Sequence, residues 1–176
     1  MAEAQALAER IAAQWSPTAI YASPLQRCLQ TGDAIARTTG APLVPLDALL
    51  DIDYGDWQWK THDEAAQEFP AHFSAWVNLP WLMRFPHGEC LQDLLLRAAD
   101  VLRFVLDRHT EETVVLVGHE SVNRAMLLQV MDRPLTQYWR IQQAPCALNE
   151  FEVTANSVRI LRIDDSSHLS GFVSPP

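Results

Sequence analysis

The sequence predicts an α/β protein, a three-layer α/β/α sandwich around a mostly parallel sheet. Three observations predict it. Short apolar strands alternate with amphipathic helices along the chain. The clearest strand, "TVVLVG" at 113–118, is apolar and β-branched, as a strand covered on both faces must be. Two strands run directly into helices, through Ser23-Pro24 and through Gly118-His119.

The elements follow in order. Residues 2–15 form an amphipathic helix, with Leu7, Ile11 and Trp15 four apart on one face and Ala4 and Ala8 beside them. "TAIYA" at 18–22 is a buried strand. Ser23 then reads as a helix N-cap, with Pro24 at the first helical position and Gln26 completing a capping box. That helix runs to about Thr39 and stops at Gly40. "PLVPL" at 42–46 is a short strand. A turn-rich stretch leads into a short helix from about Thr61, and residues 78–89 form a proline-bearing loop. A long helix covers about Leu91–His109, the strand 113–118 follows, and another helix spans about Ser121–Met131. "ALNEFEV" and "SVRILRI" close the chain as a hairpin around "TANS". The whole reads as one domain, 1–176, with a helical cap-like insertion around 55–90.

Bulk properties narrow the function. The chain has 176 residues, 48% hydrophobic and 20% charged, which is a globular composition. Its formal net charge of -9 argues against a nucleic-acid partner. It leaves room for a small phosphorylated molecule, because a few clustered arginines bind one locally. No apolar run approaches membrane-span length. The three cysteines, Cys28, Cys90 and Cys146, are odd in number and widely spaced, which reads as reduced thiols and a cytoplasmic location. The acidic, alanine-rich start does not read as a secretory signal.

Ligands of parallel α/β sheets bind outside the carboxyl ends of strands. Two such ends carry suitable groups here, Ser23-Pro24-Leu25-Gln26-Arg27 and Gly118-His119-Glu120. An imidazole and a guanidinium at neighbouring helix N-termini suit an anion, and phosphate fits an arginine fork. Asp51 and Asp53 sit in a loop where aspartates also serve turns. Trp57, Trp59, Trp76 and Trp81 read as packing residues or as the lining of a cleft. "HESVN" lacks the second histidine of a zinc-protease helix, and no histidine or carboxylate pair has metal-ligand spacing. "RHT" at 108–110 falls at a helix C-terminus, where both basic residues complement the dipole. Cys90 has no strand-to-loop cradle that would make it a thiolate nucleophile.

Taken in order, "IYASPLQRCLQT", "LLDIDYGDWQ", "FPHGEC" and "VVLVGHESVNRAML" resemble the histidine phosphatase superfamily, in its phosphoglycerate-mutase-like branch. "YWRIQQAPCALNEFEV" and "SSHL" are similar to its small bacterial phosphatases. The resemblance implies that Arg27 clamps a phosphate and that His119 is the second active-site histidine, stabilising transition-state charge. It implies that Asp51 protonates the leaving oxygen, at a position where the family usually has Glu. It implies no metal and no cofactor. "FPHGEC" departs from the more usual "GES". The family also opens with a central strand ending in Arg-His-Gly, whose histidine is the nucleophile, and nothing in this sequence matches it. The resemblance therefore implies a domain truncated at its N-terminus, inactive or nearly so, in which the strand carrying His119 lacks a neighbour. Such a chain is expected to be poorly soluble, low-melting or a homodimer. The alternative reading is a non-catalytic phosphate-binding or protein-interaction module on the same fold.

Overall fold

The computed structural model of the chain describes residues 2–171. Strands β1 (Ala19–Ala22), β2 (Leu43–Pro45) and β3 (Val114–Val117) form a parallel sheet in the order β2-β1-β3. Helices α1 (Ala2–Gln14) and α2 (Gln26–Thr39) cover one face. Helices α5 (Leu91–Arg108) and α6 (Glu120–Val130) cover the other. The alternation of strand side chains makes this arrangement necessary. Ile20 and Ala22 pack with Leu7, Ala8, Ile11 and Ile35. Ala19 and Tyr21 point the opposite way, into a core with Leu94, Val101, Val122 and Met126. The three-layer α/β architecture expected from the sequence is the one observed.

Between residues 55 and 90 two helices form rather than one, α3 (His62–Glu68) and α4 (Pro70–Asn78). Thr61 caps α3 in a reciprocal pair with Glu64, at 3.3 and 2.8 Å. Pro70 cannot continue that helix and starts the next one. The loop expected over 78–89 contains a 3-10 turn at Pro80–Leu82. Trp57 and Trp76 are buried in an aromatic cluster with Phe69, Phe73, Phe85 and Tyr138. Trp59 does not join them. It is 100% exposed, on a turn residue with φ of 66°.

The last two strands, β4 (Leu148–Thr154) and β5 (Ser157–Asp165), pair antiparallel as a separate two-stranded sheet. Side chains tie this hairpin to α1. The Trp15 indole donates to Glu150 at 2.9 Å, and Arg10 pairs with Asp165. Arg10 also meets His168 at 3.0 Å, and His168 contacts the Cys146 carbonyl at 3.0 Å. His168 and, at the end of α5, His109 are thus both engaged in contacts between elements. His109 is held by the Tyr21 hydroxyl at 2.9 Å and by Glu112 at 2.5 Å. No helix among the described residues is long and apolar enough to cross a membrane.

The two edges of the parallel sheet differ. β2 is three residues long and ends in Pro45, which blunts it. β3 carries no charge and no proline, yet its second edge pairs with no strand among the described residues. The Thr113 and Val117 carbonyls accept from Thr18 N and Ser23 N, on either side of β1. By alternation, Val114 and Leu116 turn their N–H and C=O groups outward. These residues are half-buried, and an apolar edge is left unguarded. The purified 176-residue chain should therefore self-associate at micromolar concentration or melt low, as sedimentation and thermal denaturation will report. A monodisperse monomer with a high melting temperature would contradict this.

Candidate active site

β1 and β3 end at the same level, with Ala22 opposite Val117. The chain then delivers Ser23 from one strand and His119 from the other, and their side chains meet. His119 Nε2 lies 2.8 Å from Ser23 Oγ. Ser23 is fully buried and does not cap α2, whose N-cap is Leu25 with no side-chain bond. The expected capping box with Gln26 is absent: the serine hydroxyl meets the imidazole and, at 3.4 Å, accepts from the amide of Leu25.

Arg27, in the first turn of α2, reaches the other side of the ring. Its Nε and Nη2 lie 3.1 and 2.8 Å from His119 Nδ1, and Nη2 also donates to Asp51 Oδ2 at 3.0 Å. A guanidinium has only donors, so Nδ1 must be the unprotonated acceptor and Nε2 carries the proton to Ser23. Burial first of all holds His119 below the ordinary histidine range. Arg27 and Arg97 add to this and Asp51 opposes it. The imidazole is thus neutral at pH 7.

Asp51 is fixed from the opposite side. Its Oδ1 accepts from the Ser121 hydroxyl at 2.5 Å and from its own neighbour's amide, Ile52 N, at 3.0 Å. Asp53 has a different task. Its Oδ1 accepts from Gly55 N at 2.9 Å and shapes the turn. Cys28 completes the enclosure, with Sγ 3.3 Å from the Gly118 carbonyl and 3.5 Å from His119 Nε2. Burial pushes this thiol up to about 11, so it stays protonated and is no thiolate nucleophile.

The three residues singled out in the sequence, Arg27, Asp51 and His119, thus come together. Ser23, Cys28 and Ser121 join them without having been singled out. Ser23 carried a signal, its place at a strand end, but that signal was read as a cap. Among the described residues no group of three metal-ligating side chains is clustered.

A serine, a histidine and an aspartate meet here, but they are not a nucleophilic triad, because the protons run the wrong way. A serine nucleophile needs an unprotonated Nε2 and a carboxylate bonded to Nδ1–H. Here Nε2 donates, Arg27 fills Nδ1, and Asp51 Oδ2 stands 3.7 Å from it. What the arrangement can do is hold an anion. Arg27 is 61% exposed at the side chain and can turn outward, and the imidazole beside it can accept a proton.

Comparison with known proteins gives the family. The description of the histidine phosphatase superfamily (branch 1) matches residues 1–166. The chain belongs to this superfamily. It is 29% identical to phosphoserine phosphatase 1 of Hydrogenobacter thermophilus, over 87% of this chain and 72% of that one. It is 31% identical to the metal-independent phosphoserine phosphatase of Arabidopsis thaliana, over 97% of this chain and 72% of that one. Among solved structures, YhfR of Bacillus stearothermophilus superposes with a TM-score of 0.90 at 30% identity. That match covers 96% of this chain and 83% of YhfR.

A bound dianion favours the charged imidazole, so the depressed His119 should rise on binding. Sulfate stays dianionic above about pH 3, and its binding should take up a proton and tighten as pH falls through the histidine range. Calorimetry in two buffers of different ionisation enthalpy measures the uptake. His119→Gln should abolish both the uptake and the pH dependence.

Proposed function

We propose that this chain binds small phosphomonoesters at Arg27, His119 and Asp51. The observation that carries the reading is the convergence of these three side chains at the carboxyl ends of β1 and β3. Arg27 leaves Asp51 and His119 to clamp the phosphate as a fork. His119 donates to the phosphate oxygens and stabilises charge as the transferring group loosens. Once Arg27 has left it for the phosphate, Asp51 in its protonated form, beside the Ser121 hydroxyl, gives a proton to the leaving oxygen. In the family, the resemblance implies, the phosphoryl group passes to a histidine and is then hydrolysed. Phosphoserine, named for two of the relatives, is the first substrate to test.

Acting alone, the 176 residues turn over near background. The chain has six histidines. His62 and His72 are exposed on α3 and α4. His87 pairs with Asp56 at 3.0 Å, and His109 and His168 are engaged elsewhere. That leaves His119, whose Nε2 donates to Ser23 and whose Nδ1, once Arg27 has left it, is the protonated donor to the phosphate, so neither nitrogen has a lone pair for attack. Electrostatic stabilisation without a nucleophile leaves only a residual rate.

Incubation with an activated aryl phosphate and with phosphoserine tests this. We expect saturable binding, turnover near background and no acid-labile, base-stable phosphate on the protein. Robust turnover that vanishes in His119→Ala, with label at His119, would make that residue the nucleophile and refute the roles given above. An absence of phosphate binding would favour the interaction-module alternative.

A further inference from the structure

Asp51 lies on a loop with no regular structure, and something must fix that loop. The side chain that does so is Arg97, two turns into α5 and far from Asp51 in sequence. All five of its N–H donors are used. Nε and one Nη2 proton make a fork on Glu89, at 3.2 and 2.8 Å. The remaining three reach main-chain carbonyls of the loop: Ala48 at 3.0 Å, Leu50 at 2.6 Å and Asp51 itself at 3.2 Å. Glu89 closes the arrangement from its own side. Its Oε2 accepts from Asp53 N at 2.8 Å, and its backbone N–H donates to the Asp53 carbonyl at 2.9 Å. Both side chains are largely buried, at 20% and 23% exposed. The pair thus grips the loop on each side of Asp51 through main-chain atoms and leaves its carboxylate untouched.

We infer that Arg97, acting with Glu89, is the positioning residue that holds the Asp51 carboxylate against Arg27. This rests on the proposed phosphate site in one respect only, that anion affinity is one of its readouts. A planar fork with five fixed donors suits the task, and lysine cannot replace it, because three rotatable donors do not span a carboxylate and three carbonyls. With Arg97 lost, the loop loosens, Asp51 retreats from Arg27, and a guanidinium that was parked becomes available to an anion.

The experiment is a double-mutant cycle on the full chain. Arg97→Met, Asp51→Asn and the double variant are compared in two measurements. Arg97→Lys stands in if Arg97→Met does not fold. The first measurement is inorganic phosphate affinity at pH 7 by calorimetry. Asp51→Asn should tighten binding by up to about fivefold, the worth of a half-exposed ion pair. Arg97→Met should give a gain in the same direction, and the double variant no more than Asp51→Asn alone. The second needs no ligand. The His119 ring nitrogen shifts, read by NMR, should move in Arg97→Met, because Arg27 is released, and should not move further when Arg97→Met is added to Asp51→Asn. Equal effects of Arg97→Met in the presence and absence of Asp51 would mean a general structural role and overturn the inference, as would no effect on the ring. If phosphate binds to no form, the proposed function fails, and the NMR cycle alone decides whether Arg97 positions Asp51.

Discussion

The register between β1 and β3 sets everything that follows from it. Ala22 and Val117 lie opposite one another, so both strands finish together and the next residues, Ser23 and Gly118-His119, emerge side by side. A slip of one residue would move the strand ends about 3.3 Å apart and turn every side chain to the opposite face. Burial forbids it. Ile20 and Ala22 have no exposed surface on the α1–α2 side, and Ala19 and Tyr21 are equally committed to the α5–α6 side. The hydrophobic core thus places the imidazole, and the polar contacts only finish its orientation.

Two arginines near this point do opposite work, and their surroundings explain why. Arg27 is mostly exposed and shares a proton of one nitrogen with a carboxylate that is itself partly in water. A contact of that kind is worth only about 0.2–1 kcal/mol. It keeps the guanidinium near the site without locking it there. Arg97 sits largely out of water with every donor satisfied. Removing one partner of such a pair costs about 3–5 kcal/mol, because the other charge is left stranded. The first arginine is poised to move and the second to stay.

Much of this was legible in the sequence, and what was not has physical reasons. A serine, a proline and an arginine after a buried strand, and a glycine and a histidine after another, announce two strand ends facing one cleft. The same serine also has the chemistry of a helix cap, and only its burial against His119 decides between the two uses. Asp51 and Asp53 are alike in composition and loop setting. Their roles separate through contacts 70 and 2 residues away, with Ser121 and Gly55. The grip of Arg97 on the loop joins residues 46 to 49 positions apart, which no local pattern encodes. The break between α3 and α4 was signalled by Pro70, but a proline at the start of a helix and one that ends a helix look the same until the backbone is seen.

Among the described residues β3 has one ladder partner, which raises the question of how such a strand can present a side chain with accuracy. The ring of His119 does not depend on β3 alone. Ser23 from the end of β1 holds Nε2, Arg27 from α2 holds Nδ1, and Cys28, one residue further along α2, packs against both the ring and the Gly118 carbonyl. All three come from the side of the sheet that is fully paired, where β1 has neighbours on both edges. On the far side, α6 begins immediately after His119, and its Val122 is completely buried in the core. The histidine is therefore clamped between a well-anchored strand–helix unit and a buried helix, and movement at the free edge of β3 acts on backbone groups that face away from both. Accuracy at the site and openness at the edge can coexist because they rest on different halves of the same sheet.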